Sequence, residues 1–195
     1  RIPHKVLLDY GFEYTNLKAY NGTSSDSTVV DVPTLKHIYN TIFSSRVTSA
    51  TTGFINPNNF DSNWKNRTAG TITVSGLYYK YNAFINDAIN LGKVNFVNNQ
   101  FQDKFVSGVW QNPYQEFQAF AMAPAISKYE GLSFTVKIPS TIFYSNYQSL
   151  VQSIQIDFGN GAGYVTVPFN QNITVNYATE GVKTWKYKLN LTNGT

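Results

Sequence analysis

The sequence predicts a β-dominated chain in two parts, an α+β region over residues 1–124 and an all-β region over residues 125–195. Three observations carry this. The last third alternates apolar with polar residues between Gly, Asn and Asp clusters, the pattern of half-buried strands joined by turns. A segment after Asp31 has instead the 3.6-residue period of an amphipathic helix. Ala123-Pro124-Ala125 then interrupts both patterns and marks the boundary between the two parts.

Taken in order, Lys5 to Leu8 reads as a first strand. Leu35, Ile38, Tyr39, Ile42 and Phe43 recur at i, i+3, i+4, i+7 and i+8. Asp31 stands where an N-cap would, and Pro33 is acceptable in a first turn, where a missing N–H costs nothing. Asn56-Pro57-Asn58-Asn59 reads as a loop, and Thr71 to Tyr79 as a strand. Tyr81, Phe84, Ile85, Ala88 and Ile89 share a helical face, so a second helix is expected from about Tyr81 to Leu91, ended by Gly92. Lys93 to Val97 and Phe117 to Met122 are strand-like, with Asn98-Asn99 as a loop between them.

In the last third, Ile154, Ile156 and Phe158 alternate with Ser153, Gln155 and Asp157, and Val165, Val167 and Phe169 with Tyr164, Thr166 and Pro168. Between them, Asp157 and Asn160 can bond nearby backbone, and the intervening glycines tolerate positive φ, so a tight reversal is expected. Ile173, Val175 and Tyr177 form another alternating run. After Glu180-Gly181, Trp185, Tyr187, Leu189 and Leu191 oppose Thr184, Lys186, Lys188 and Asn190, with lysine on the solvated phase. Two facing sheets with Ile154, Ile156, Val165, Val167, Val175, Trp185, Tyr187 and Leu189 in their core satisfy these phases.

The order Ile156-Asp157-Phe158-Gly159-Asn160-Gly161, Asn176-Tyr177-Ala178-Thr179-Glu180-Gly181, Leu189-Asn190-Leu191-Thr192-Asn193-Gly194 resembles the PKD family of extracellular, immunoglobulin-like modules. The resemblance covers roughly residues 125–195. It implies an immunoglobulin-like β-sandwich that serves spacing, presentation or adhesion, with a carbohydrate or protein ligand. The family pattern continues past Asn193-Gly194 into a final strand, so the resemblance also implies a module lacking that strand here and further domains downstream. The family's Trp before the first Asp is replaced by Ile156, which leaves Trp185 as the large ring for that volume. The Asn-, Tyr- and Phe-rich, Cys-free chain as a whole looks like large exported proteins of gliding bacteria that use type IX secretion.

Composition narrows the chemistry. The chain of 195 residues can bury a core without cross-links, and its lack of Cys excludes disulfides, thiol catalysis and Cys-ligated metal. Charged residues make up 13%, against about 25% in typical domains, so the surface relies on amides and hydroxyls. That balance is common in secreted, carbohydrate-facing or adhesive β-proteins. The net charge of +4 comes from scattered Lys and Arg with no run of three, which reads as solubility charge rather than a nucleic-acid footprint. No stretch approaches the roughly 20 apolar residues of a membrane span. Residues 1–20 carry Asp9, Glu13 and Lys18 and lack the apolar centre of a signal peptide, so an export signal would lie outside this stretch.

Residue constellations point to binding rather than catalysis. His4 and His37 read as surface or capping residues, and Ser75-Gly76 and Ser107-Gly108 lack the nucleophile elbow of serine hydrolases. The scattered acids show no glycosidase pair, and Asp157-x-x-Asn160 lacks the alternating ligands of a calcium loop. No catalytic residue, metal site or cofactor is therefore expected. Trp64 and Trp110, set among polar turn residues, together with Tyr114 and the Tyr78-Tyr79 pair, are the candidate ligand-binding residues, since exposed rings can stack on sugars or anchor proteins. Sequons at Asn21, Asn66, Asn172, Asn190 and Asn193 would matter only in a eukaryotic secretory host. The expected function is a non-catalytic binding, adhesion or spacer region of a larger secreted or cell-surface bacterial protein. The alternatives are an accessory region of a secreted hydrolase and a structural component of an envelope or secretion assembly.

Overall fold

A computed structural model describes residues 2, 4–8, 29–47, 51–65 and 69–194. Asp9, Glu13, Lys18 and the sequons at Asn21 and Asn66 lie outside these residues. The fold is β-dominated, with several sheets and two α-helices among the described residues.

Its centre is one long strand, β2 (Thr71–Phe84). Along one edge β2 pairs antiparallel with β7 (Tyr114–Pro124), from Val74↔Pro124 to Phe84↔Tyr114. Along the other edge it pairs in turn with three parallel strands: β8 (Ser133–Lys137), β9 (Phe143–Ser145) and β1 (Leu7–Leu8). β8 continues the sheet to β12 (Asn172–Asn176). A separate antiparallel sheet has the order β11 (Tyr164–Thr166), β10 (Val151–Asp157), β13 (Lys186–Leu191). Strand pairing therefore runs across the expected boundary at Ala123-Pro124-Ala125, since β2 joins β8 and β9.

Because side chains alternate along a strand, β2 serves two cores at once. Leu77, Tyr79 and Tyr81, with Ala119, Ala121 and Ala123 of β7, face α1 (Val32–Ser44) and α2 (Pro57–Lys65). The alanines of β7 leave room for Leu35, Tyr39 and Ile42 of α1 to pack close to the sheet. Ile72, Val74, Tyr78 and Met122 face the opposite way, into a core shared by Phe134 and Val136 of β8, Val175 of β12, Ile154 and Ile156 of β10, and Leu191 of β13.

The first helix forms where the periodicity places it. The Asp31 carboxylate accepts from the Thr34 N–H at 2.9 Å, and Pro33 lies in the first turn. The reversal after β10 uses its expected chemistry: Asp157 Oδ1 accepts from the Gly159 N–H at 2.9 Å, and Gly159 has φ +69°. Ile154, Ile156, Val167 and Val175 are buried, and Val165, Trp185, Tyr187 and Leu189 pack half-buried against the same core.

Two assignments change. The expected helix from Tyr81 to Leu91 is absent: Tyr81–Phe84 completes β2, and residues 86–92 form turns that end at Gly92, φ +64°. Eleven register pairs with β7 outweigh a local helical period that fits the same apolar residues. Asn56-Pro57-Asn58-Asn59, expected as a loop, instead starts α2, with Asn56 Oδ1 accepting from the Asn58 N–H at 2.9 Å and Pro57 in the first position.

Candidate functional site

Between β2 and β7 the chain leaves the two cores and builds an arm over residues 85–113. The Ile85 N–H donates to Pro113 O at 2.8 Å, continuing the β2–β7 ladder to the base of the arm. β3 (Val94–Val97) and β4 (Gln100–Asp103) form one hairpin, and β5 (Phe105–Val106) and β6 (Val109–Trp110) a second, each a two-stranded sheet of its own. Both turns hold two consecutive residues at positive φ, Asn98 and Asn99 at 52° and 59°, Ser107 and Gly108 at 49° and 78°. That geometry matches the strand twist in two-residue hairpins.

The arm is where apolar surface meets solvent. Of the thirteen exposed large hydrophobic residues among those described, eight lie between Ile89 and Val109, with exposures from 45% to 63%. Phe96, Val97 and Phe101 are on the first hairpin, Phe105, Val106 and Val109 on the second, and Ile89 and Leu91 in the preceding turns. A row of rings ties the first hairpin to the ribbon: Phe96 to Phe101 at 5.2 Å, Phe101 to Phe84 at 5.1 Å, Phe84 to Tyr114 at 5.7 Å. Trp110 is half-buried, and its Nε1 donates to Asp103 Oδ1 at 2.8 Å. Asp87, Lys93, Asp103 and Lys104 are the charged residues of 85–113 and sum to zero, whereas the whole chain carries +4.

The five expected binding residues divide. Trp110 and Tyr114 belong to the arm and its base, partly exposed. Trp64 does not lie in a polar loop: it is on α2, 4% exposed, packed edge-to-face on Phe60 one helical turn away at 5.4 Å. Tyr78 and Tyr79 are buried too, because β2 is covered on both faces. The Tyr78 hydroxyl donates to Gln118 Oε1 at 2.6 Å, and the Tyr79 hydroxyl to Gly53 O at 2.5 Å. Burial pushes the Tyr78 hydroxyl pKa up to about 12 and that of Tyr79 well above its ordinary value. These three rings are core, and none offers a stacking platform.

The exposed phenylalanines were missed. The available signal was a pair of adjacent turn formers, Asn98-Asn99 and Ser107-Gly108, each flanked by apolar residues.

Apart from the arm, a polar cluster surrounds His4, whose side chain is 1% exposed rather than on the surface. Asn82 Nδ2 contacts His4 Nε2, so the ring proton belongs on Nδ1, which faces Glu116 Oε2 at 3.8 Å. Lys80 Nζ holds the other Glu116 oxygen at 2.9 Å. Enclosed in this way, His4 tethers the segment leading into β1 against β2 and is not presented to a substrate. Burial lowers its pKa most; Glu116 opposes this and Lys80 adds to it. A folded-state pKa below the unfolded value of about 6.5 means that the neutral ring's contribution is full above that pH and is lost as pH falls through the folded pKa. The melting temperature should therefore drop from pH 7.5 to pH 5.5, and His4→Gln should flatten that slope. An equal slope in both proteins would show that His4 does not carry the dependence.

No helix among the described residues is long and apolar enough to cross a membrane. Comparison of the chain with family models, curated proteins and solved structures finds no match.

Proposed function

We propose that this chain is a non-catalytic binding and presentation region of a larger extracellular or cell-surface bacterial protein, and that it docks a protein ligand through the arm over residues 85–113. The observation that carries this reading is the concentration of half-exposed Phe and Val on two hairpins that stand off both cores, with Ile89 and Leu91 in the turns before them. Exposed apolar residues gathered in one segment mark a site of interaction rather than the scattered apolar exposure of an ordinary surface. A protein suits the arm better than a sugar, since sugar sites combine stacking rings with hydrogen-bonding side chains. Here the most exposed rings are phenylalanines, and the Trp110 N–H is already donated to Asp103. The two-sheet arrangement over residues 133–191, the Asp157 turn and the Tyr177 hydroxyl donating to Phe158 O at 2.6 Å support reading the C-terminal part as an immunoglobulin-like, PKD-like module. Such a module would hold the arm at a set distance from the rest of its parent protein.

A benzophenone-bearing residue at position 97, at the tip of the first hairpin, tests this. Irradiated with extracellular protein of the source organism, the chain should form a discrete protein adduct that Phe96→Asp abolishes. If no adduct forms, and a glycan array instead gives a signal that Trp110→Ala and Tyr114→Ala remove, the ligand is a carbohydrate and the protein-docking reading is wrong.

A further inference from the structure

We infer that the partner of the arm is the arm of a second copy of this chain, the two clasping about a two-fold axis; this rests on the reading of residues 85–113 as a docking surface. Apolar side chains leave both faces of each hairpin. Directly paired residues share a face and neighbours along a strand take opposite faces. Phe96 and Phe101 are paired and lie on one face of the first hairpin, so Val97 lies on the other. On the second, Phe105 shares a face with Trp110, and Val106 and Val109 share the opposite one. A lipid surface or a flat protein face would cover one side and leave the other wet. A second arm wrapped around the first covers both.

Area and charge agree with a copy as the occupant. Half of an aromatic side chain's roughly 200 Å² is about 100 Å², and the aliphatic residues add somewhat less each, so eight half-exposed residues present on the order of 700 Å². A standard interface takes about 800 Å² from each partner. The two Asp and two Lys of the arm cancel, so two copies meet without net repulsion there, and an isologous contact can set Asp against Lys on both sides of the axis. Neither does the arm carry the basic surplus that would draw it to anionic lipid. A two-stranded hairpin is marginal in water by itself, so each arm gains a packing layer from the other.

Sedimentation velocity of the purified chain from 1 to 200 µM is the test. The expected result is a monomer–dimer equilibrium in which Phe101→Asp and, separately, Val109→Asp weaken dimerisation at least about 30-fold, the scale of interface hot spots. Leu132→Asp, at an exposed residue off the arm, should leave it unchanged. Benzophenone at position 97 should give a covalent product of twice the chain mass. A monomer throughout this range, a dimer indifferent to both arm variants, or a monomer that floats with phosphatidylcholine vesicles would each overturn the inference. An adduct with a different protein, formed by a monomeric chain, would overturn it while leaving the docking reading intact.

Discussion

Trp185→Ala should destabilise the chain by about 3 kcal/mol, the lower end of the roughly 3–5 kcal/mol for large aromatic truncations, because the indole is half-buried. The ring closes one end of the C-terminal core. It meets Phe158 edge-on at 5.0 Å and stacks with Phe134 of β8 at 6.3 Å, so it joins the two sheets. Its Nε1 donates to the Tyr177 hydroxyl at 2.8 Å, and that hydroxyl donates onward to Phe158 O. Burial raises the Tyr177 pKa, which keeps the hydroxyl a donor across the working range. In a chain of this size about 3 kcal/mol corresponds to a fall of about 6–12 °C in melting temperature. Trp185→Phe keeps a ring and loses the N–H, and should cost about 1 kcal/mol in addition to the smaller packing change. Urea denaturation measures both. An unchanged midpoint for the alanine variant would remove Trp185 from the core and with it the expected ring substitution for Ile156.

What the sequence made legible was local chemistry, and what it hid was long-range choice. The Asp31 cap, the α1 face and the Asp157 turn each depend on residues a few positions apart, and all three form as read. The stretch from Tyr81 onward satisfies a period of 3.6 and, with Leu77 and Tyr79, also a period of 2; the pairing with β7, more than thirty residues away along part of the ribbon, decides for strand. Tyr78 and Tyr79 illustrate the same limit. Neighbouring residues on a strand point to opposite faces, so one of them would be exposed on a one-sided sheet, but β2 has helices on one side and a second sheet on the other. Trp64 was misplaced because its polar neighbours hid the one-turn spacing to Phe60. His4 finds Asn82 and Glu116 only through the fold, at separations no motif spans.

Gly53→Ala should be among the most costly single changes available, at about 2–5 kcal/mol, although nothing in Thr51-Thr52-Gly53 marks it in the sequence. Two terms add. Gly53 has φ +79°, where an L side chain costs about 1–2 kcal/mol. A Cβ there would also stand 1.9 Å from Ser145 O and 2.8 Å from the Asn146 N, so backbone must move. That backbone is held: Ser145 pairs with Tyr78 in the β2–β9 ladder, and the Asn146 side chain bonds both the N–H and the carbonyl of Lys80, at 3.0 and 2.9 Å. Overpacking against a fixed wall adds about 1–3 kcal/mol. Movement of Gly53 itself would draw its carbonyl from the Tyr79 hydroxyl and disturb the stacking of Phe54 on Tyr79 at 4.9 Å. Gly70→Ala separates the two terms, since Gly70 has φ +72° but no atom within 4 Å of a Cβ; it should cost only the conformational part, about 1–2 kcal/mol. Equal losses for the two variants in urea denaturation would mean that the approach of residues 51–55 to the end of β9 is not close, and that this loop does not brace the helical side of β2.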